Sequence, residues 1–553
     1  MRIRESVAVA DDRGFDQPID PWWPDPETDD ADEIDDAEGG AEDADPRPRT
    51  RLSVRMAALL PVLPVLAAQA YLAWKLLWID NAFLDEATYL YAGHQEVGHL
   101  AHGTPIATYQ TFFSGAPVLY PVLAALVDAT GGLTGARVLS MILMLLATLA
   151  VYLTGRRMYG TLAGFFAAAL FAALGPTLHL SAFATFDALA LCLLAWSTYC
   201  VVLFAHGDRR DVLVYGAALM ILADCVKYAS LLWNPFIILL GGLSGPGFAA
   251  WKCSRSWNLQ RLGMVTGTLL LLAIIIGRQP YFDGFLSTTL TRSPSTTPAG
   301  AIGTGVAHWI GALLALATLG LLLIGFQAYR HRLSWAEAGT AAVLLAAGTA
   351  APLNQLRIHT LTSLNKHVDF GALFAAVLAG AFLARVIGAM RLPRTLRALA
   401  AAAALAATVG PIGWFGVAQA KTMQDEWPNS TAMIAALEPL VHKGPDRYLV
   451  EDPYVAAYYI GSRVGWSQWA DTWSTAFTDQ ATGRRLTGVP AFEAAIEAHH
   501  YAVIVLSFTD TATTDEQLAP LIGRSGYKLV AKIPHKDALG SGHYFIWTYT
   551  ATP

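Results

Sequence analysis

The chain has 553 residues, of which 54% are hydrophobic and only 14% charged, with a mean hydropathy of +0.41. A soluble domain carries about 25% charged residues, so this composition excludes a soluble globular enzyme and describes a polytopic α-helical membrane protein. The formal charge of −6 averages two materials, because residues 1 to 50 hold 17 Asp/Glu against 5 Arg while the other 503 residues hold 32 Lys/Arg against 26 Asp/Glu.

Residues 1–50, with Asp29-Asp-Ala-Asp-Glu-Ile-Asp-Asp36 and almost no apolar clustering, cannot bury enough surface to offset their ordering entropy and are predicted to be a disordered cytoplasmic tail. Nothing apolar precedes Met56, so the first apolar run reads as a retained helix and not as a cleaved signal. Runs long enough to cross a bilayer fall near 56–78, 136–155, 161–180, 185–205, 211–227, 228–243, 262–277, 304–326, 336–352, 368–388 and 397–417, which gives about eleven spans within a membrane module of residues 51–420. Arginines at 47, 49, 51 and 55 and at alternate turns (Arg156-Arg157, Arg209-Arg210, Arg330 and Arg332, Arg391, Arg394 and Arg397) mark one face as cytoplasmic. That parity places the 79–136 loop, the 278–303 and 353–367 loops and everything after residue 420 outside the plasma membrane. Cys192, Cys200, Cys225 and Cys253 lie in or beside apolar spans without paired spacing, so neither disulfides nor a cysteine metal site is expected.

After Lys421 the texture changes. β-rich runs at 447–451, 501–508, 527–533 and 543–549 alternate with helix-like stretches near 453–461, 490–499 and 515–523, which predicts a small exterior α/β domain over 421–553. Trp427, Trp466, Trp469 and Trp473 at its start suit an interfacial aromatic belt, with sugar stacking as a second use.

The most informative residues are Asp85-Glu86, an acidic pair just past the outer end of the first span, in a loop (79–136) that holds no Lys or Arg before Arg137. A carboxylate there is suited to orient a sugar or deprotonate a hydroxyl, and Tyr89 lies beside it. Five basic residues break the positive-inside pattern: Arg278, Arg292, Arg357, Lys366 and Lys227. Fixed cations in a partly dehydrated site clamp phosphate oxygens, and lipid phosphates are the anions present at that depth. Headgroup snorkelling is the competing explanation for each of them taken singly. The chain contains no P-loop, no dinucleotide fingerprint on a strand-to-helix turn and no H-E-x-x-H, so the reading favours a lipid-linked group donor, with no cofactor, no metal site and no nucleic-acid partner.

The segment Leu84-Asp-Glu-Ala-Thr-Tyr-Leu-Tyr91 resembles the acidic first-loop motif of GT-C-fold glycosyltransferases of the protein mannosyltransferase and aminoarabinose transferase type. The stretches 115–121, 135–140, 154–160 and 181–187 are similar to the rest of that module, and the resemblance extends over about residues 70 to 390. It implies inverting transfer of a sugar from a polyprenyl-phosphate donor to an exterior glycan, glycolipid or protein. It also implies Asp85 as the base with Glu86 shaping the site, Asp187 as the acid at the start of the fourth span, and Lys366, with His367 and Arg357 nearby, as the holder of the donor phosphate. Val368-Asp-Phe-Gly-Ala departs from the proline-bearing segment usual after that lysine. Metal-independent transfer is expected, since no spacing demands an ion. A lipid-sugar flippase is the alternative, although no pair of similar halves is visible. The Ala- and Arg-rich composition suits a high-GC bacterial source and a role in envelope assembly.

Overall fold

The computed structural model describes residues 59–207, 210–245, 254–291, 295–479, 482–538 and 540–549, so the acidic tail, Arg209, Cys253 and Arg292 lie outside the described residues. Chain contacts divide the molecule after Met56, and the architecture below belongs to the unit that starts at Ala57.

Every expected span falls on a helix. Seven helices among the described residues are long and apolar enough to cross a bilayer: Tyr120–Tyr159 (α3), Phe186–His206 (α6), Leu259–Thr289 within the α9 region, Ala299–Tyr329 (α10), Trp335–Ile358 (α11), Leu364–Ala389 (α12) and Arg394–Gln424 (α13). Shorter helices fill the remaining expected spans: Leu63–Leu76 (α1), Thr161–Ala172 (α4) with Gly175–Leu180 (α5), Arg210–Val226 (α7), and a 3₁₀ turn Tyr228–Trp233 leading into Asn234–Leu243 (α8). Apolar side chains stay exposed on the outer helices, including Ile274, Ile275 and Ile276 on Ser254–Phe285 (α9) and Trp414 and Phe415 on α13, a surface that lipid covers in a multi-pass membrane protein. The centre is α12, buried along most of its length; at Gly380 a Cβ would stand 2.3 Å from the Ala163 carbonyl oxygen, so glycine lets α12 and α4 touch backbone to backbone.

The 79–136 segment, expected as a loop, is largely helical. Leu84–His102 (α2) buries Ala87, Leu90, Tyr91 and Glu96 along one stripe, while His94, Gln95, His99 and His102 give it a hydropathy too low to resemble a span. α3 starts at Tyr120 and is broken at Gly132 (φ +60°, ψ −167°), where only glycine adopts the turn without strain.

Beyond α13 a short helix, Thr431–Leu437 (α14), leads into a five-stranded sheet of order β2-β1-β5-β7-β6. Its strands are Tyr448–Val450 (β1), Trp469–Ala470 (β2), Val503–Leu506 (β5), Lys528–Lys536 (β6) and Ser541–Thr548 (β7); β1 pairs in parallel with β2 and β5, and β7 pairs antiparallel with β5 and β6. The helices are Pro453–Ile460 (α15), Val489–Glu497 (α16) and Ala512–Arg524 (α17), and Ala476–Thr478 (β3) with Arg485–Thr487 (β4) form a separate hairpin ladder. The four expected strands and three helices are all present.

This α/β part seats on α2, the segments flanking it and the start of α3. Tyr458 donates to Asp128 (2.7 Å), Ala82 N donates to the Tyr459 hydroxyl (2.8 Å), and Trp466 Nε1 donates to the Pro105 carbonyl (3.0 Å). The belt expected of the tryptophans gives way to these internal roles, because Trp427 packs on Phe83 (5.7 Å) and Trp469 on Tyr448 (5.3 Å), and only Trp473 keeps an open face at 62% exposure.

Candidate active site

Asp85 and Glu86 occupy the first turn of α2, where the helix dipole favours negative charge, yet consecutive residues on a helix diverge by about 100° and the two carboxylates face different surroundings. Glu86 is fully buried and saturated. Its oxygens accept from Arg137 Nε (2.9 Å) and an Arg137 terminal nitrogen (2.7 Å), from Ala184 N (2.9 Å) and from Phe83 N (3.1 Å). Arg137 in turn donates to the carbonyls of Leu77 (2.8 Å), Ile79 (2.9 Å) and Asn81 (3.2 Å). This bidentate clamp ties α3, the turn between α1 and α2 and the loop before α6 into one rigid corner. Glu86 therefore has no lone pair left for a ligand, and its contribution is to hold Asp85 in place.

Asp85 faces a cavity of about 800 Å³, where its Oδ2 lies 2.5 Å from Lys366 Nζ. Lys366 sits in the first turn of α12 and also reaches 5.7 Å from the Phe183 ring. A second pair lies deeper: Lys227 Nζ and Asp187 Oδ1 are 2.6 Å apart and almost fully buried. Lys227 is set by a close backbone approach, in which Ala116 N donates to Cys225 O (2.9 Å) and Tyr228 N to Ser114 O (2.9 Å), and a Cβ on Gly115 would stand 1.8 Å from Val226 O. Asp187 is within electrostatic range of Lys366 and His367 as well as Lys227, so the order Asp85, Lys366, Asp187, Lys227 is an array of alternating charge. Tyr89 is half-buried between Phe113 and Phe186, whose ring centroids lie 5.4 and 4.4 Å from its own; desolvation, then Asp85, then Asp187 hold its phenol protonated, so it acts as a hydrogen-bond donor.

The other expected residues separate. His367 lies 3.3 Å from Gln355 through its Nδ1, beside the array but turned toward α11. Arg357 is exposed and donates to Asn354 of its own helix (3.0 Å), away from the Asp85 cavity. Arg278 stands at a break in α9 (φ +56°, ψ −167°) and lines a different, apolar cavity of about 540 Å³ between α7 and α9. That cavity also takes Cys225, two residues before Lys227, and Tyr228, the residue after it.

Two participants carry no mark in the sequence. Glu426, in the turn after α13, lines the Asp85 cavity and faces Lys366; burial raises its pKa while Lys366 opposes the rise. His179, buried on α5, packs on Phe183 (4.4 Å) within electrostatic range of Lys366 and Asp187. Among the described residues no group of three His, Cys, Asp or Glu side chains is placed to hold a metal ion.

The family model described as dolichyl-phosphate-mannose-protein mannosyltransferase matches residues 116–277. No curated protein matches the chain. Among solved structures, ArnT from Cupriavidus metallidurans bound to undecaprenyl phosphate is 15% identical with a TM-score of 0.55, over 90% of this chain and 99% of that one. The Archaeoglobus fulgidus oligosaccharyltransferase in its apo form is 15% identical with a TM-score of 0.53, over 87% and 74%. The archaeal oligosaccharyltransferase AglB from the same organism, in complex with an inhibitory peptide and a dolichol-phosphate, is 14% identical with a TM-score of 0.51 over the same shares. The chain has the GT-C fold these proteins share.

Proposed function

We propose that this chain is a membrane glycosyltransferase that moves a sugar from a polyprenyl-phosphate donor to a hydroxyl of a cell-envelope glycan, glycolipid or protein, with inversion at the anomeric carbon. The observation that carries the reading is the 2.5 Å pair of Asp85 and Lys366 at the wall of an open cavity, backed by the buried pair of Lys227 and Asp187. A base and an anion holder that neutralise one another at rest are separated when a phosphate competes for the lysine. The family model and the folds bound to undecaprenyl phosphate and dolichol-phosphate support that donor class.

The chemistry follows from the placement. The donor phosphate draws Lys366 from Asp85, and Lys227 adds a second positive charge behind it. The prenyl chain takes the apolar groove, with Arg278 at its wall. Asp85, freed and ionised, accepts the proton of the acceptor hydroxyl as its oxygen bonds to the anomeric carbon and the bond from that carbon to the phosphate oxygen breaks. The leaving phosphate carries away the electron pair, its charge dispersed by the lysines, so no protonating acid is needed. With Asp85 acting as base and the acceptor oxygen as the nucleophile, a single direct displacement gives inversion. Arginines at the far helix ends (Arg156, Arg157, Arg330, Arg332, Arg391) favour the cytoplasm for that end and the exterior for the site.

Reconstituted protein given polyprenyl-phosphate sugars of defined anomeric configuration is expected to yield product of the opposite configuration by NMR. Retention of configuration contradicts the direct displacement, and lipid-sugar translocation without any transfer contradicts the enzyme reading in favour of a flippase.

A further inference from the structure

A second polar cavity, of about 340 Å³, lies in the α/β part. The chain leaves β1 through α15 to β2 on one side of it and later returns through α16 to β5 on its other side, so β1 and β5 flank a topological switch point. In α/β sheets, ligands bind in the crevice beyond the carboxyl ends of the strands at such a point. The residues that follow these two strands, Glu451-Asp452 and Ser507 to Asp510, line this cavity.

Its chemistry is one-sided. The wall contains Glu426, Glu451, Asp452, Asp510 and Asp537 and no lysine or arginine, so it repels anions. Glu451 is spent on the loop that follows β5, accepting from Ser507 N (2.7 Å), Thr509 N (3.0 Å) and Thr511 N (3.0 Å). Among the described residues Asp452 keeps a single weak partner, Trp473 Nε1 at 3.4 Å, which ties that exposed indole to the crevice wall. The independent sign of a ligand is His535 on β6. It lines the cavity, is only 8% exposed, sits over Gly542 of β7, and neither of its ring nitrogens has a hydrogen-bond partner among the described residues. Leaving a buried imidazole unsatisfied on both sides costs more than a typical hydrogen bond returns.

We infer that the crevice closed by Asp452, Asp510 and His535, with the Trp473 ring at its edge, binds a neutral or amino-bearing sugar unit of the acceptor. Vicinal hydroxyls donate to the carboxylates, a ring nitrogen of His535 takes or gives the remaining hydrogen bond, and Trp473 offers its face to the pyranose. A bare metal ion is disfavoured because no three ligating side chains converge among the described residues. Glu426 belongs to the walls of both this crevice and the Asp85 cavity, so a chain held here continues toward Asp85. That last step rests on the transferase reading; the binding does not.

The test uses the full chain in lipid nanodiscs, with saturation-transfer NMR and titration of mannose, glucosamine and galacturonate oligomers. Neutral or amino-bearing oligomers are expected to bind the wild type and Asp85→Asn alike and the galacturonate not at all. Trp473→Ala, at an exposed position, and Asp452→Asn are expected to weaken binding at least tenfold, and in transfer assays to raise the acceptor KM with the donor KM unchanged. Absence of binding by every oligomer, unchanged affinity in both crevice variants, or preference for calcium ion or peptide over sugar overturns the inference. Loss of transfer assignment at Asp85 with sugar binding intact would defeat the transferase reading alone.

Discussion

The molecule holds two polar chambers built on opposite electrostatic plans. In the membrane bundle each functional carboxylate has a lysine, Asp85 with Lys366 and Asp187 with Lys227. In the α/β crevice the acids outnumber one neutral histidine, no lysine or arginine stands in the wall, and only the shared Glu426 faces a cation, Lys366. Paired charges at low dielectric are stable at rest yet open to exchange when an anion arrives, whereas unpaired acids suit a ligand that brings hydroxyls or amines and no negative charge. Under the proposed function, that difference divides the two substrates of one reaction between two sites.

The comparison breaks most severely at the corner that keeps the bundle's chamber in register. Arg137→Ala is expected to leave Glu86 as a buried unpaired charge, at about 3–5 kcal/mol, seen as loss of folded protein or a large drop in Tm in detergent. The double variant Glu86→Gln with Arg137→Met should recover part of that stability, which single removal of a surface pair would not allow. Lys366→Ala is expected to weaken polyprenyl-phosphate binding by about 10- to 100-fold, the value of a charge-assisted contact, measured by titration of the bare lipid phosphate. Binding as tight as in wild type would mean the paired lysine is not the anion holder.

The crevice sharpens the contrast through pH. Burial first, then Asp510, Glu451 and Asp471, pushes the Asp452 carboxyl up to about 7, with its hydrogen bond from Trp473 opposing the rise. A carboxyl raised above its unfolded value near 3.8 contributes stability that is fully present below pH 4 and is lost as pH rises through 7. Asp452→Asn should therefore stabilise the full chain by about 2 kcal/mol above pH 7 relative to wild type, with the gap closing toward pH 4; a pH-independent difference would remove the unpaired acid from the account. The smallest effect is expected at Arg357, which is exposed and bonded to Asn354. Arg357→Ala should change stability by less than about 0.5 kcal/mol and leave donor affinity unaltered.

The sequence discloses the membrane half of the site because charge in lipid is rare. Asp85, Asp187, Lys227 and Lys366 are each conspicuous against apolar neighbours, and the structure brings all four together. Arg278 and Arg357 are equally conspicuous but serve other surroundings, since position near a helix end does not fix which way a side chain turns. Glu86 and Arg137 pair across distant segments, and nothing local connects them. Glu426 lies in a polar turn without pattern, and its place in two cavity walls depends on how the sheet seats against α2. The helix α2 stays hidden because its buried stripe alternates with histidines and acids, and β2 to β4 are too short to raise a period. The crevice is legible only once strand order is known, because a switch point is a property of topology.

The central claim is that Asp85 is the base released when donor phosphate takes Lys366. Donor binding and labelled-sugar transfer measured on the same preparations of wild type and Asp85→Asn test it most directly. The variant is expected to bind donor at least as tightly as wild type and to transfer about 10²- to 10⁴-fold more slowly. Equal transfer by both proteins, with donor bound, would contradict it.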